Sequence, residues 1–258
     1  MNRRKNKITL ILVWVVILAF FCLTRYWYYD AKQDIIDHIS KQTIVEKVEQ
    51  EPEYITVFVE RELNTNYAAL RLNVTNVQQN PELPTGCEVT ALTTVLNYLG
   101  YDVDKLTLAD LFLPKGEIGK THPDEAFIGN PRDKSSYGAN APVLVNTAND
   151  YLSRAESRYT AYDMTGTDFP ELIKYINDGY PVMVWETINL LAPYPTTKWN
   201  LDSGEYQWYA RFHCMVLIGY TEDEYIMADP LQKDIVYYDK ELVEQRYNEL
   251  GKQAVVIY

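Results

Sequence analysis

The 258-residue chain is short of the residues on which many protein functions depend. It has three cysteines and three histidines, and the histidines (His38, His122, His213) are widely scattered. No cysteine pair stands at metal-ligand spacing, so neither a metal centre nor any other cofactor is expected. Basic residues are scarce, 24 Lys and Arg against 36 Asp and Glu, and no basic cluster occurs beyond the first seven positions. That argues against a nucleic-acid partner, because phosphate binding depends on clustered cations. Internal repeats and low-complexity tracts are missing too. What is plentiful is tyrosine, 22 residues, within a 47% hydrophobic composition sufficient for one full core.

The amino terminus has the pattern of an address. Arg3, Arg4, Lys5 and Lys7 precede an uncharged apolar run from Ile8 to Thr24, closed by Arg25 and the aromatic stretch Tyr26-Trp27-Tyr28-Tyr29. Seventeen residues span roughly 25 Å as a helix, the short end of a membrane crossing. A small-x-small cleavage site is lacking, since Ala19-Phe20-Phe21 and Cys22-Leu23-Thr24 both fit it poorly. The expectation is a cytoplasmic tail over 1–7, an uncleaved signal-anchor over 8–24, a stalk over 25–69 and a globular domain over 70–258. The basic tail stays in the cytoplasm, which puts the C-terminal domain outside the cell membrane. That outer part carries a net formal charge of about −17.

Within the domain, Thr85 and Glu88 have Thr-x-x-Glu spacing, which predicts a capping box with Thr85 as N-cap and Cys87 as N2. Val89, Leu92, Leu96 and Leu99 continue at helical spacing to Gly100. A thiol in a first helical turn feels the positive end of the dipole, which favours thiolate. Leu72–Val77 and Pro181–Trp185 are predicted strands, with Tyr206–Tyr220, Tyr225–Asp229, Ile235–Tyr238 and Ala254–Tyr258 forming a later, mainly antiparallel sheet. Pro142–Leu152 and Phe169–Asp178 are predicted helices, with Leu106–Leu113 a shorter one. Pro114–Ala141 is a long polar loop of the kind that serves as a lid or substrate-binding insertion. Helices first and sheet later define an α+β class.

His213 lies inside the apolar run Phe212-His213-Cys214-Met215-Val216-Leu217-Ile218-Gly219, where an imidazole needs partners. Asp229 ends the next strand, sixteen residues on; an even separation lets the two face each other across a hairpin centred near Thr221. Cys87, His213 and Asp229 match the order nucleophile, base and orienting acid. The Cys87 main-chain N–H and a side-chain amide of Gln79 or Gln78 are candidate oxyanion donors. The aromatic approach to His213 (Tyr194, Trp199, Tyr206, Trp208, Tyr209, Phe212) could line a peptide groove.

The segments Gln79–Gly100, Phe212–Tyr220 and Ala228-Asp229-Pro230-Leu231 resemble the papain-like cysteine peptidases of the bacteriocin-processing, double-glycine type. The nearest likeness is to the stand-alone branch found in Gram-positive bacteria, and it covers roughly residues 70–258. The resemblance implies a papain-like fold, with Cys87 as nucleophile, His213 as base, Asp229 as orienter and Gln79 as oxyanion partner. The exporter-linked members carry Asp before the cysteine, whereas this chain has Gly86 and no following ATP-binding cassette, so leader cleavage does not transfer. The implied partner is a peptide or protein substrate, with cell-wall peptide among the candidates. Acyl transfer of the transglutaminase kind and a non-catalytic peptide-binding module are the rival readings. With His213 turned toward Cys87, strand alternation turns Cys214 away, so both thiols are expected free.

Overall fold

The computed structural model describes residues 54–58 and 68–258, with side chains from Leu70 onward. The expected tail, signal-anchor and most of the stalk lie outside the described residues. Among the described residues no helix is long and apolar enough to cross a membrane.

The main sheet is antiparallel throughout and is organised on one central strand. In chain order its members are β1 (Tyr54–Phe58), β2 (Ala68–Leu72), β5 (Ala161–Asp163), β6 (Val182–Thr187), β9 (Phe212–Tyr220), β10 (Glu224–Ala228), β11 (Val236–Asp239) and β12 (Ala254–Ile257). Strand β9 pairs with β6 over Thr187↔Phe212 to Val182↔Leu217 and with β10 along its other edge. Beyond the end of β6, β2 continues on that same edge, through Leu70↔Tyr220 and Arg71↔Gly219. β6 leads outward to β12 and β5, and β10 leads to β11. Two small pairs stand apart: β3 (Lys115–Gly116) with β4 (Phe127–Ile128), and β7 (Pro195–Leu201) with β8 (Gly204–Tyr209).

The longer helices among the described residues are α1 (Cys87–Tyr98), α2 (Ala141–Arg154), α3 (Phe169–Asn177) and α4 (Lys240–Glu249). Helix α1 packs on β9 and β6, and its residues from Cys87 to Leu96 are all buried. The six residues of β6 are likewise buried, as expected of a strand covered on both faces. Trp185, Phe127, Leu92, Leu96 and Leu144 are among the largest fully buried side chains, each worth about 1.5–3 kcal/mol of apolar transfer.

Several elements differ from the sequence expectation for physical reasons. The predicted strand Tyr206–Tyr220 is two strands, because the chain turns at Ala210-Arg211 with Arg211 at φ +68°, leaving β8 and β9 in different sheets. Leu72–Val77 is mostly loop, the strand lying earlier, at Ala68–Leu72. Helix α4 has no strong apolar stripe; it starts where the Asp239 carboxylate accepts the Leu242 N–H at 3.0 Å. Residues 105–112 form a helical turn, capped by Asp104, that widens into a π-helical segment. The Pro114–Ala141 stretch is anchored rather than loose. Phe127 and Ile128 are fully buried, and the Ile128 N–H donates to the Gly138 carbonyl at 2.8 Å. Ile128, Trp199 and Trp208 form a separate apolar cluster, with Tyr137, Tyr206 and Phe212 packed against it.

Candidate active site

Cys87 is the first residue of α1. Gly86 occupies the N-cap position with no side-chain cap, so the predicted capping box does not form. Thr85 instead donates its hydroxyl to the carbonyls of Pro131 (3.3 Å) and Asp133 (3.0 Å). Glu88 is fully buried, with one oxygen accepting the Ala139 N–H at 2.9 Å and the other the Cys87 S–H at 3.3 Å. Local packing accounts for Gly86: a Cβ there would stand 2.8 Å from the Leu83 Cβ.

This environment reverses the electrostatic expectation for the thiol. Burial pushes the Cys87 pKa well above its ordinary value, and the charges of Glu88 and Cys214 add to the rise. The Cys214 main-chain N–H works the other way and is outweighed. The first-turn dipole is therefore outweighed, and the Cys87 S–H donates to Glu88. Cys87 and Cys214 are both free thiols.

His213 and Asp229 meet directly. The imidazole Nε2 lies 2.7 Å from Asp229 Oδ1, and each side chain is only 1% exposed. The route differs from the predicted one. Ala228↔Val216 and Met227↔Leu217 pair in one register, Ile226↔Gly219 in another, so Ile218 is the extra residue of a bulge. Continuing that register brings Asp229 beside Met215, so His213 is reached as a diagonal neighbour on the same face, not as the residue directly opposite.

Burial alone would raise the Asp229 pKa, but the His213 hydrogen bond and charge, the Leu231 N–H (2.8 Å) and the Tyr238 hydroxyl (3.4 Å) hold it below its ordinary value. An ionised acceptor at Nε2 assigns the proton of neutral imidazole to that nitrogen and leaves Nδ1 to exchange a proton with a thiol. No hydrogen bond joins Cys87 to His213. They lie on elements that pack together: the Cys214 N–H of β9 acts on the sulfur, and the His213 of that strand lies within electrostatic reach of Glu88.

The two glutamine candidates part company. Gln78 is exposed and only its carbonyl is engaged, by Lys105. Gln79 is 2% exposed; its Nε2 donates to the Pro84 carbonyl at 2.9 Å, and its Oε1 is buried without a partner among the described residues. The Gln79 N–H donates to the Pro230 carbonyl at 2.9 Å, and Asn76 Nδ2 donates to the carbonyls of Asp229 and Gln232 at 2.8 Å each. The segment before the Cys87 helix is thus stapled to the loop that carries Asp229. Of the remaining histidines, His122 sits edge-on to Tyr206, and His38 lies outside the described residues.

Asn76, Tyr238 and Glu186 escape sequence reasoning, and Glu88 enters it only as a capping residue. Glu88 mimics a cap residue, and Asn76 and Tyr238 act through turns no local pattern announces. Glu186 stands opposite His213 in the β6–β9 register, fully buried, with neither oxygen hydrogen-bonded among the described residues. Burial pushes its pKa well up, and the Arg246 charge acts the other way. Its one sequence signal is a carboxylate directly after the buried run ending at Trp185. Among the described residues no cluster of His, Cys, Asp and Glu could hold a metal ion.

A helix bearing a first-turn cysteine, packed on an antiparallel sheet that presents a buried His–Asp pair, is the architecture of papain-like cysteine peptidases. The sequence profile of the Peptidase_C39 like family matches residues 71–255, and the chain belongs to that family. It is 28% identical over 201 residues to the uncharacterized protein YvpB of Bacillus subtilis (strain 168), covering 76% of this chain and 78% of YvpB. A crystal structure assigned as a C39-like peptidase of Bacillus anthracis superposes with a TM-score of 0.65 at 33% identity, covering 72% of this chain and 94% of that one.

Proposed function

We propose that this protein is a cysteine peptidase that cleaves peptide or amide bonds with Cys87 as nucleophile, His213 as general base and acid, and Asp229 as the orienting carboxylate. The observation that carries the reading is the buried 2.7 Å bond from His213 Nε2 to Asp229 Oδ1 on the strand against which the Cys87 helix packs. His213 Nδ1 takes the Cys87 proton and the sulfur attacks the substrate carbonyl. The negative oxygen that forms is met by the Cys87 main-chain N–H and by the Gln79 amide. His213 returns the proton to the leaving amine as the C–N bond breaks. Water, activated by the same imidazole, then releases the acyl group from sulfur.

The substrate class is a peptide or protein, with peptides of the cell wall as candidates. The basic tail and apolar run 8–24 support a single-pass anchor that holds the C-terminal domain outside the cell membrane. An added protease that digests the domain on intact cells supports this topology, whereas protection until lysis refutes it.

The activity test is an active-site-directed thiol probe on the full-length protein and on Cys87→Ala, His213→Ala and Cys214→Ala. Labelling should vanish with Cys87→Ala, fall steeply with His213→Ala and persist with Cys214→Ala. Labelling that survives Cys87→Ala, or ignores His213, overturns the assignment.

A further inference from the structure

Glu88 is an ionisable side chain with no solvent exposure, in hydrogen-bond contact with the Cys87 sulfur. Its Oε2 accepts the Cys87 S–H at 3.3 Å and its Oε1 the Ala139 N–H at 2.9 Å. The pocket around it has no slack. A Cβ on Gly138 would stand 2.3 Å from Oε1 and 3.4 Å from the Phe212 and Trp208 rings. The Ala139 carbonyl is fixed in turn by the Trp185 indole N–H at 2.9 Å. The ionisable groups acting on this carboxyl are Cys87 from its own helix and His213 and Cys214 from β9. The 138–139 stretch supplies a main-chain N–H, and β6 the uncharged Trp185.

We propose that Glu88 is a third proton-handling group of the site, one that sets how readily Cys87 gives up its proton. Ionised, its carboxylate accepts the S–H bond and holds the nucleophile as thiol. Protonated, it keeps its own proton and donates that O–H to the sulfur once the Cys87 proton has passed to His213 Nδ1. No proton is gained or lost by the pair in that transfer; one S–H breaks and one N–H forms. The buried carboxyl titrates near neutrality, at about 7, because desolvation outweighs the stabilising Ala139 and Cys87 hydrogen bonds. The switch therefore falls in the working pH range. The proposal rests on the reading of Cys87 as the nucleophile.

The test is the rate of iodoacetamide alkylation at Cys87, followed by mass spectrometry on the full chain from pH 5 to 9, for wild type and Glu88→Gln. The rate ratio of variant to wild type should be roughly one at pH 5 and rise to about tenfold by pH 8.5, one pKa unit of thiol acidity recovered. A ratio that stays flat across that range overturns the proposal. Where Glu88→Gln does not fold, the profile of His213→Ala, which leaves Glu88 and Cys87 without the imidazole, carries the test. Its logarithmic rate should flatten above neutral pH, and an unbroken slope of one through pH 9 refutes Glu88. A flat ratio with hydrolysis still abolished by Cys87→Ala defeats this proposal alone. Hydrolysis that survives Cys87→Ala defeats the nucleophile assignment and the proposal with it.

Discussion

Asn76 holds Asp229 by the main chain: its Nδ2 donates to the Asp229 carbonyl at 2.8 Å and to the Gln232 carbonyl at the same distance. Three residues later the Gln79 N–H donates to Pro230. The main-chain segments that carry Asp229 and Gln79, the proposed orienting acid and oxyanion donor, are therefore fixed to each other. Such joint fixing is what preorganised catalysis requires, since polar groups that must reorganise during reaction contribute less.

Asn76→Ala should accordingly be costly for its size. It strips two part-buried carbonyls of their donor, an expected loss of about 1–3 kcal/mol in urea unfolding. Turnover should fall while the stability loss still leaves the protein folded. An unchanged rate in a folded Asn76→Ala protein would show that the staple serves stability alone.

Asp229→Asn tests the pair on two axes. Turnover should drop by about 10²- to 10⁴-fold, because an amide cannot hold the imidazole in the same tautomer or balance its charge. The stability signature has a definite sign. Asp229 has a folded pKa below its unfolded value, so its stabilising effect is present above the unfolded value of about 3.9. That effect is lost as pH falls through the folded value. Wild type should lose stability more steeply than Asp229→Asn below about pH 4, in acid titrations followed by circular dichroism. Parallel acid profiles would remove Asp229 from the linkage.

The contrast between what the chain announces and what it hides follows the range of each signal. Cys87 begins a helix whose apolar spacing is local, and His213 interrupts an apolar strand, so both stand out within a ten-residue window. Asp229 was reachable because one hairpin joins it to His213, although the extra residue Ile218 shifts the pairing by a step that no composition reveals. Glu88 was legible as a residue and misleading as a role. Thr-x-x-Glu spacing predicts a solvated capping box, but tertiary packing buries the carboxylate under Gly138 and gives it the Ala139 N–H instead. Asn76 and Tyr238 contribute through contacts spanning 153 and nine residues, and such turns leave no periodic trace. Strand β7 carries no such trace, because its mix of exposed polar residues with the buried Trp199 looks like loop until its partner β8, part of the predicted Tyr206–Tyr220 strand, is in place.

Gln79→Ala and Gln78→Ala separate the two amides. Gln79 is buried before the nucleophile helix, and losing an oxyanion donor costs about 10²- to 10³-fold in kcat with KM little changed. Gln78 faces solvent, so its variant should leave both constants essentially unaltered. A Gln79→Ala effect confined to KM would assign that amide to binding rather than to the developing oxyanion.

Glu88 also leaves a mark on folding that is independent of turnover. Its carboxyl moves from an ordinary 4.5 to about 7 on burial, so the folded chain binds more protons than the unfolded chain between those values. Stability therefore falls as pH rises through that window, by up to about 3 kcal/mol for the full shift. Glu88→Gln cannot titrate and should lack this slope. Wild type should gain on the variant as pH drops from 8 to 5, whatever the constant offset from the altered hydrogen bonds. Urea midpoints at pH 5, 6, 7 and 8 measure the difference directly. A difference that does not change with pH would mean that Glu88 is ionised throughout, leaving the S–H to carboxylate bond as its permanent state and removing the neutral form on which a proton-handling role depends.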